Sequence, residues 1–118
     1  MTRPPWRRAE AGRGGRTGTA GERLAAAALA QRGLVVEAHN VRTRHGEIDL
    51  LARKGSTWIA VEVKTRTGHP APERCVRPEQ LDRLARALAD LAPGLRPVPR
   101  ALRIDVVAVV TGGLAPSL

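Results

Sequence analysis

The sequence predicts an α/β or α+β domain in which helices cover a sheet, in the order helix, three strands, helix, strand. Residues 19–32 and 78–91 set Leu and Ala at helical spacing. Runs at 34–42, 46–66 and 101–110 are dense in Val, Ile and Leu, and the second divides around Lys54-Gly55-Ser56 into two strands. Gly and Pro fall between these segments, where turns and loops are needed.

Residues 1–17 carry five Arg against one Glu and little that could pack, which reads as a flexible basic arm. The domain proper then runs over 18–111, with a loose tail at 112–118. In "TAGERLAAAALAQRG", Thr19 precedes Glu22 by three residues as a capping box would, and Gly33 is the stop. Leu24, Ala25, Ala28 and Leu29 form the expected apolar stripe. Segment 67–77, "TGHPAPERCVR", reads as a loop. Pro78 suits the first turn of the second helix, whose Leu81, Leu84, Ala85, Leu88 and Leu91 face the core until Pro93-Gly94 ends it.

Composition narrows the function. The chain has 118 residues, no Phe or Tyr and only two Trp, so stacking of single-stranded bases on aromatic rings has little to work with. A net charge of +9, almost wholly from Arg, favours a polyanionic partner such as nucleic acid. No apolar run reaches the ~18 residues of a membrane span, and the basic N-terminus lacks the apolar segment of a secretory signal. Cys75 is the single cysteine, so neither an internal disulfide nor a cysteine zinc site is expected. A cytoplasmic protein without membrane association fits these features.

The stretch "GEIDLLARKGSTWIAVEVKTR" sets carboxylates and a lysine inside strand-like runs. A turn centred between Gly55 and Ser56 brings Asp49 directly opposite Glu62, with Cβ atoms roughly 4.5 to 5.5 Å apart, provided that no bulge intervenes. Alternation places Glu47, Asp49 and Leu51 on one face and Glu62 and Lys64 on one face of the next strand. Ile48, Leu50, Val61 and Val63 take the opposite side, toward a core. Opposed carboxylates destabilise a sheet unless a cation neutralises them. Oxygen donors without a Cys or His cluster point to Mg²⁺ or Mn²⁺ rather than zinc, with Lys64 aimed at the same place. The alternative is a solvated face of salt bridges in which Lys64 only neutralises Glu62.

Gly21-Glu22, Asn40-x-Arg42, "GEIDL" at 46–50, "VEVKTR" at 61–66 and "RIDVV" at 103–107 together resemble the YraN family over about residues 18–110. These small bacterial proteins are classed with the PD-(D/E)XK endonucleases, similar in outline to Holliday-junction resolvases. The resemblance implies a restriction-endonuclease-like αβββαβ mixed sheet flanked by helices. It implies Asp49 and Glu62 as ligands of a Mg²⁺ or Mn²⁺ cofactor, Lys64 as the motif lysine and Glu22 as an additional catalytic acid. Glu22 has an equal claim as the capping partner of Thr19. The implied reaction is hydrolysis of structured DNA to a 5′-phosphate and a 3′-hydroxyl, and because the resolvases are dimers it extends to a homodimer. The resemblance also implies a Lys, usual in that family, near the start of the second helix, where this chain has Gln80.

Arg42, Arg66, Arg83 and Arg86 are the expected phosphate contacts, with Glu47 and Gln80 as supporting groups around the site. Asn40 suits a strand-end turn contact first and a hydrogen bond to the site or a phosphate second, Arg42 suits the latter too, and Asp105 reads as a partner of Arg103 or Arg42. His39, His45 and His69 lack ligand spacing and read as surface residues. The other reading to keep in view is a nucleic-acid-binding accessory protein of the same fold without catalysis.

Overall fold

The computed structural model describes residues 20–67 and 76–111. Helix α1 (Ala20–Gln31) is followed by strands β1 (Val35–Thr43), β2 (Gly46–Lys54) and β3 (Thr57–Thr67), then helix α2 (Pro78–Leu91), a 3₁₀ turn at Ala92–Gly94 and strand β4 (Ala101–Thr111). This is the expected order. The basic arm, Thr19, most of the 67–77 loop and the tail at 112–118 lie outside the described residues.

Local chemistry accounts for the boundaries. Gly33, at φ +88°, ends α1: its N–H donates to Ala30 O and the Leu34 N–H to Leu29 O, the paired bonds of a Schellman cap. Lys54 pairs with Thr57 across Gly55-Ser56, and Gly55 has φ +61° while Ser56 does not, as a type II′ turn requires. Pro78 opens α2 at a position where its missing N–H costs nothing.

The sheet order is β1-β2-β3-β4, antiparallel through β3 and parallel between β3 and β4, with α2 as the crossover that parallel pairing demands. Each face carries one helix. On the α2 side, Leu84, Ala87, Leu88 and Leu91 pack against Ile48, Leu51, Trp58 and Ala60. On the α1 side, Ala25 and Leu29 pack against Leu50, Ala52, Ile59 and Val61. The architecture is thus an α/β layer structure compatible with the restriction-endonuclease-like expectation. Among the described residues no helix is long and apolar enough to cross a membrane.

Two expectations about facing in β2 are corrected. Both sides of the sheet are covered, so Leu51 lies in the core and not on a polar face. Ile48 and Leu50 face different helices, although they are two residues apart. In β1 the same slip sets Ala38 and Val41 on one side, three residues apart. Between them Asn40 adopts φ +51°, which breaks the two-residue period of the strand opposite Asp49.

The helix stripes are rotated too. Leu24 is 56% exposed and Ala28 is exposed, while α1 buries Gly21, Glu22, Ala25 and Leu29. In α2, Ala87 replaces Ala85 in the core and Leu81 is 41% exposed. Urea unfolding should therefore show Leu29→Ala losing about 2–4 kcal/mol and Leu24→Ala losing under about 0.5. Equal losses would contradict this orientation of α1.

Candidate active site

Backbone pairing between β2 and β3 runs from Lys54↔Thr57 to Leu50↔Val61 and then stops. The register is the expected one, yet Asp49 and Glu62 do not continue the ladder. Instead the Val63 N–H donates to Asp49 Oδ2 at 2.8 Å. A side-chain carboxylate has taken the place of a backbone carbonyl, and the strands part around it. Opposed acids would strain a closed ladder, whereas here one of them accepts an amide at the opening.

Glu62 points to the α2 side, as alternation from Trp58 and Ala60 requires. It is only 8% exposed, so the Lys64–Glu62 pairing of the salt-bridge reading is present but is not on a solvated face. Lys64 Nζ stands 3.2 Å from its Oε2, and Arg83 Nη2 stands 3.8 Å from its Oε1. Oε1 is buried and accepts no hydrogen bond. Buried carboxylate oxygens ordinarily find donors, so an unsatisfied one marks a place where another partner fits.

Arg83 is held from a second direction. Its Nη1 donates to His45 O at 3.1 Å and to Glu47 O at 3.2 Å, locking α2 to the β1–β2 turn. Gly46, at φ +105°, leaves room for this, because a Cβ there would meet the guanidinium. Arg83 thus belongs to the carboxylate centre rather than to an outlying phosphate contact. Sequence reasoning missed that role, since nothing in the spacing of Gly46 and Arg83 joins them.

Glu22 arrives from α1, is 9% exposed, and accepts a bond from Asn40 Nδ2 at 3.2 Å. The strand break at Asn40 therefore has a chemical use: it turns the amide toward the acid of the covering helix. Of the two roles expected of Asn40, this is the hydrogen bond to the site and not the strand-end turn contact. Gly21 permits the approach, because any Cβ would collide with Thr65 Oγ1 on β3.

The donor set suits a hard divalent cation. Asp49 retains Oδ1 and Glu62 its unsatisfied Oε1, and Mg²⁺ commonly takes one or two carboxylates and completes its shell with water and phosphate oxygens. Among the described residues no three His, Cys, Asp or Glu side chains converge into a ready cage for a metal of any kind.

The remaining candidates scatter. Arg42 is exposed and lines a small groove with Thr43, Gly46 and Glu47, beside the site. Gln80 does not enter the cleft: its Oε1 accepts the Arg77 N–H at 3.1 Å and caps α2. Arg86 pairs with Asp82 on the exposed side of α2, and Arg66 donates to Thr65 O. Asp105 binds Arg103 through two bonds of 2.8 and 2.9 Å. His39 is half-buried rather than a fully exposed surface residue, and its Nδ1 is buried without a hydrogen-bond partner. His69 and Cys75 lie outside the described residues.

Burial pushes the Asp49 carboxyl up to about 6, against the pull of the Val63 amide, and the charges of Glu62, Glu22 and Glu47 add to the rise. A raised carboxyl favours the fold when protonated. That contribution is complete below the ordinary value of 3.8 and is lost as pH climbs through about 6. Asp49→Asn keeps an acceptor for Val63 without a charge. In thermal melts of metal-free protein it should exceed the parent by a few degrees at about pH 7.5, with the difference shrinking toward zero by about pH 4. A pH-independent difference would rule out ionisation of Asp49 as its cause.

Residues 21–109 match the family described as "Uncharacterised protein family UPF0102". A UPF0102 protein of Anaeromyxobacter dehalogenans is 44% identical over 97 residues, covering 80% of this chain and 72% of the relative. Relatives in Leifsonia xyli subsp. xyli and Symbiobacterium thermophilum are 41% and 42% identical, covering 79% and 82% of this chain and 80% and 84% of their own. With the match spanning both helices, most of the sheet and every residue of the carboxylate centre, the chain belongs to the UPF0102 family.

Proposed function

We propose that the protein is a metal-dependent endonuclease that hydrolyses phosphodiester bonds of branched or otherwise structured DNA in recombination or repair. The observation that carries this reading is Glu62, a buried carboxylate with an unsatisfied oxygen, set beside Asp49 and Lys64 where two strands part. The resemblance of "GEIDL" and "VEVKTR" to the motifs of the YraN family supports it from the sequence.

Asp49 and Glu62 would hold Mg²⁺ or Mn²⁺, which when bound supplies the Lewis acidity that phosphodiester hydrolysis needs. Lys64, already aligned by Glu62, orients the attacking water or meets charge developing on the phosphate. Arg83 keeps Glu62 in place, and Asn40 does the same for Glu22, so neither acid needs to reorganise. Arg42 in the adjoining groove suits a backbone phosphate. Arginine contacts without a base-reading helix favour selectivity for DNA shape over sequence.

A non-catalytic nucleic-acid-binding accessory of the same fold is favoured by one observation. The Gln80 amide is used in capping α2, at the place where the resemblance to the YraN family would usually put a lysine near the site. The two readings part on labelled duplex, flap and four-way junction DNA incubated with Mg²⁺, Mn²⁺ or EDTA. The nuclease should cut one of these with either metal, leave a 5′-phosphate, stop in EDTA, and lose at least about a hundredfold in rate in Asp49→Asn and in Glu62→Gln. At subsaturating metal its rate should fall as pH drops below about 6, where a proton on Asp49 competes with the cation, and added metal should move that fall to lower pH. Salt-sensitive binding without cleavage under either metal selects the accessory protein instead.

A further inference from the structure

The two edges of the sheet are built differently. Along β1 the register shifts between Val36 and Ala38, and Asn40 at φ +51° breaks the strand again. Such irregularities are how sheets discourage edge-to-edge pairing. β4 has none of them. It contains no Gly or Pro, pairs with β3 without a break from Ala101 to Thr111, and bears no further strand among the described residues. Leu102, Val106 and Val110, exposed by 43, 37 and 46%, line one side of it, and Val98 just before it is 62% exposed. An unblunted, apolar edge is a surface that wants a partner strand.

The charges say which partner. On the other side of β4, Arg103 and Asp105 are two residues apart and lean on one another. When an antiparallel strand is added by a two-fold axis, residues directly opposite lie on the same side of the sheet, so the choices of register are few. An axis at Arg103 sets arginine against arginine, and one at Asp105 sets aspartate against aspartate. An axis at Ile104 sets Arg103 against Asp105 of the second copy, twice over. The same register puts Leu102 opposite Val106 of the second copy and brings Val110 of that copy toward Val98, at the apolar groove lined by Ala89, Pro93 and Leu102. Within the strand the exposed Leu102 and Val106 of each copy are thus matched with one another.

We propose that β4 is a self-complementary interface through which two copies of this chain join edge to edge, antiparallel about Ile104, into one continuous sheet. The inference stands apart from the nuclease reading. In such a dimer the two Glu62 side chains share one face of the sheet roughly 20 Å apart, across three strand spacings and four residues of rise.

The test uses the full chain carrying Cys75→Ser. Under mild oxidation, Leu102→Cys alone and Val106→Cys alone should stay uncrosslinked, whereas a mixture of the two should form a disulfide dimer. By light scattering the parent should approach twice its 12.6 kDa as concentration rises. Arg103→Glu or Asp105→Arg should each weaken association at least about tenfold, and the double exchange should restore it, with circular dichroism confirming that all variants fold. Equal crosslinking by the single variants overturns the register. Association indifferent to the charge exchanges overturns the interface. A parent that stays monomeric, or that dimerises only when residues 112–118 are removed, overturns the second copy as occupant, the latter result naming the chain's own tail instead.

Discussion

One hydrogen bond organises the molecule around it. Where β2 and β3 would go on pairing, Asp49 accepts the Val63 amide through its side chain, and the two strands separate without leaving that donor unsatisfied. Beyond this point the sheet is a wedge rather than a ladder. Glu62 and Lys64 project from one wall, Asn40 and Asp49 from the other, and each covering helix adds a group from its own side: Glu22 from α1 and Arg83 from α2. An intact ladder would have brought the acids face to face with nothing between them.

The wedge explains why the centre can be buried and polar together. Isolated buried charges are costly, and here each is matched by a neighbour with restricted freedom. Arg83 is fixed by two carbonyls of the β1–β2 turn before it reaches Glu62, and Asn40 is fixed by its own backbone conformation. The remaining imbalance is negative, and it shows in the raised carboxyl of Asp49. A bound cation would relieve that imbalance through charge alone, whatever reaction follows.

Much of this was legible in the residues. Gly33, Gly55-Ser56 and Pro78 mark boundaries through backbone requirements that no tertiary context alters, and the turn at Gly55-Ser56 is enough to set the register of β2 against β3. What stayed hidden depends on contacts distant in sequence. The alanine-rich α1 is nearly as apolar on one side as another, so Leu24 and Leu29 compete for the core until Gly21 meets Thr65 and decides the rotation. Strict alternation misplaced Ile48 and Leu51 because it takes strands to be regular, and Asn40 gives no sign of a left-handed residue except its tolerance for one. Gln80 could serve the cleft or the helix end equally well by composition. Its amide went to the free N–H beside it.

Asp49 consequently has two employments, since the sheet needs its oxygen as much as any chemistry does. A lineage that gave up catalysis would still be held by folding to an acceptor here, but asparagine would serve the sheet as well and without the cost of a buried charge. A persistent acceptor among relatives would therefore be weak testimony of an enzyme, and only the persistent charge would speak for one. Glu62 is the better witness. Folding supplies its inner oxygen with no hydrogen bond, only the Arg83 guanidinium 3.8 Å away. In a descendant that had lost its activity, drift would be free to erase Glu62 first.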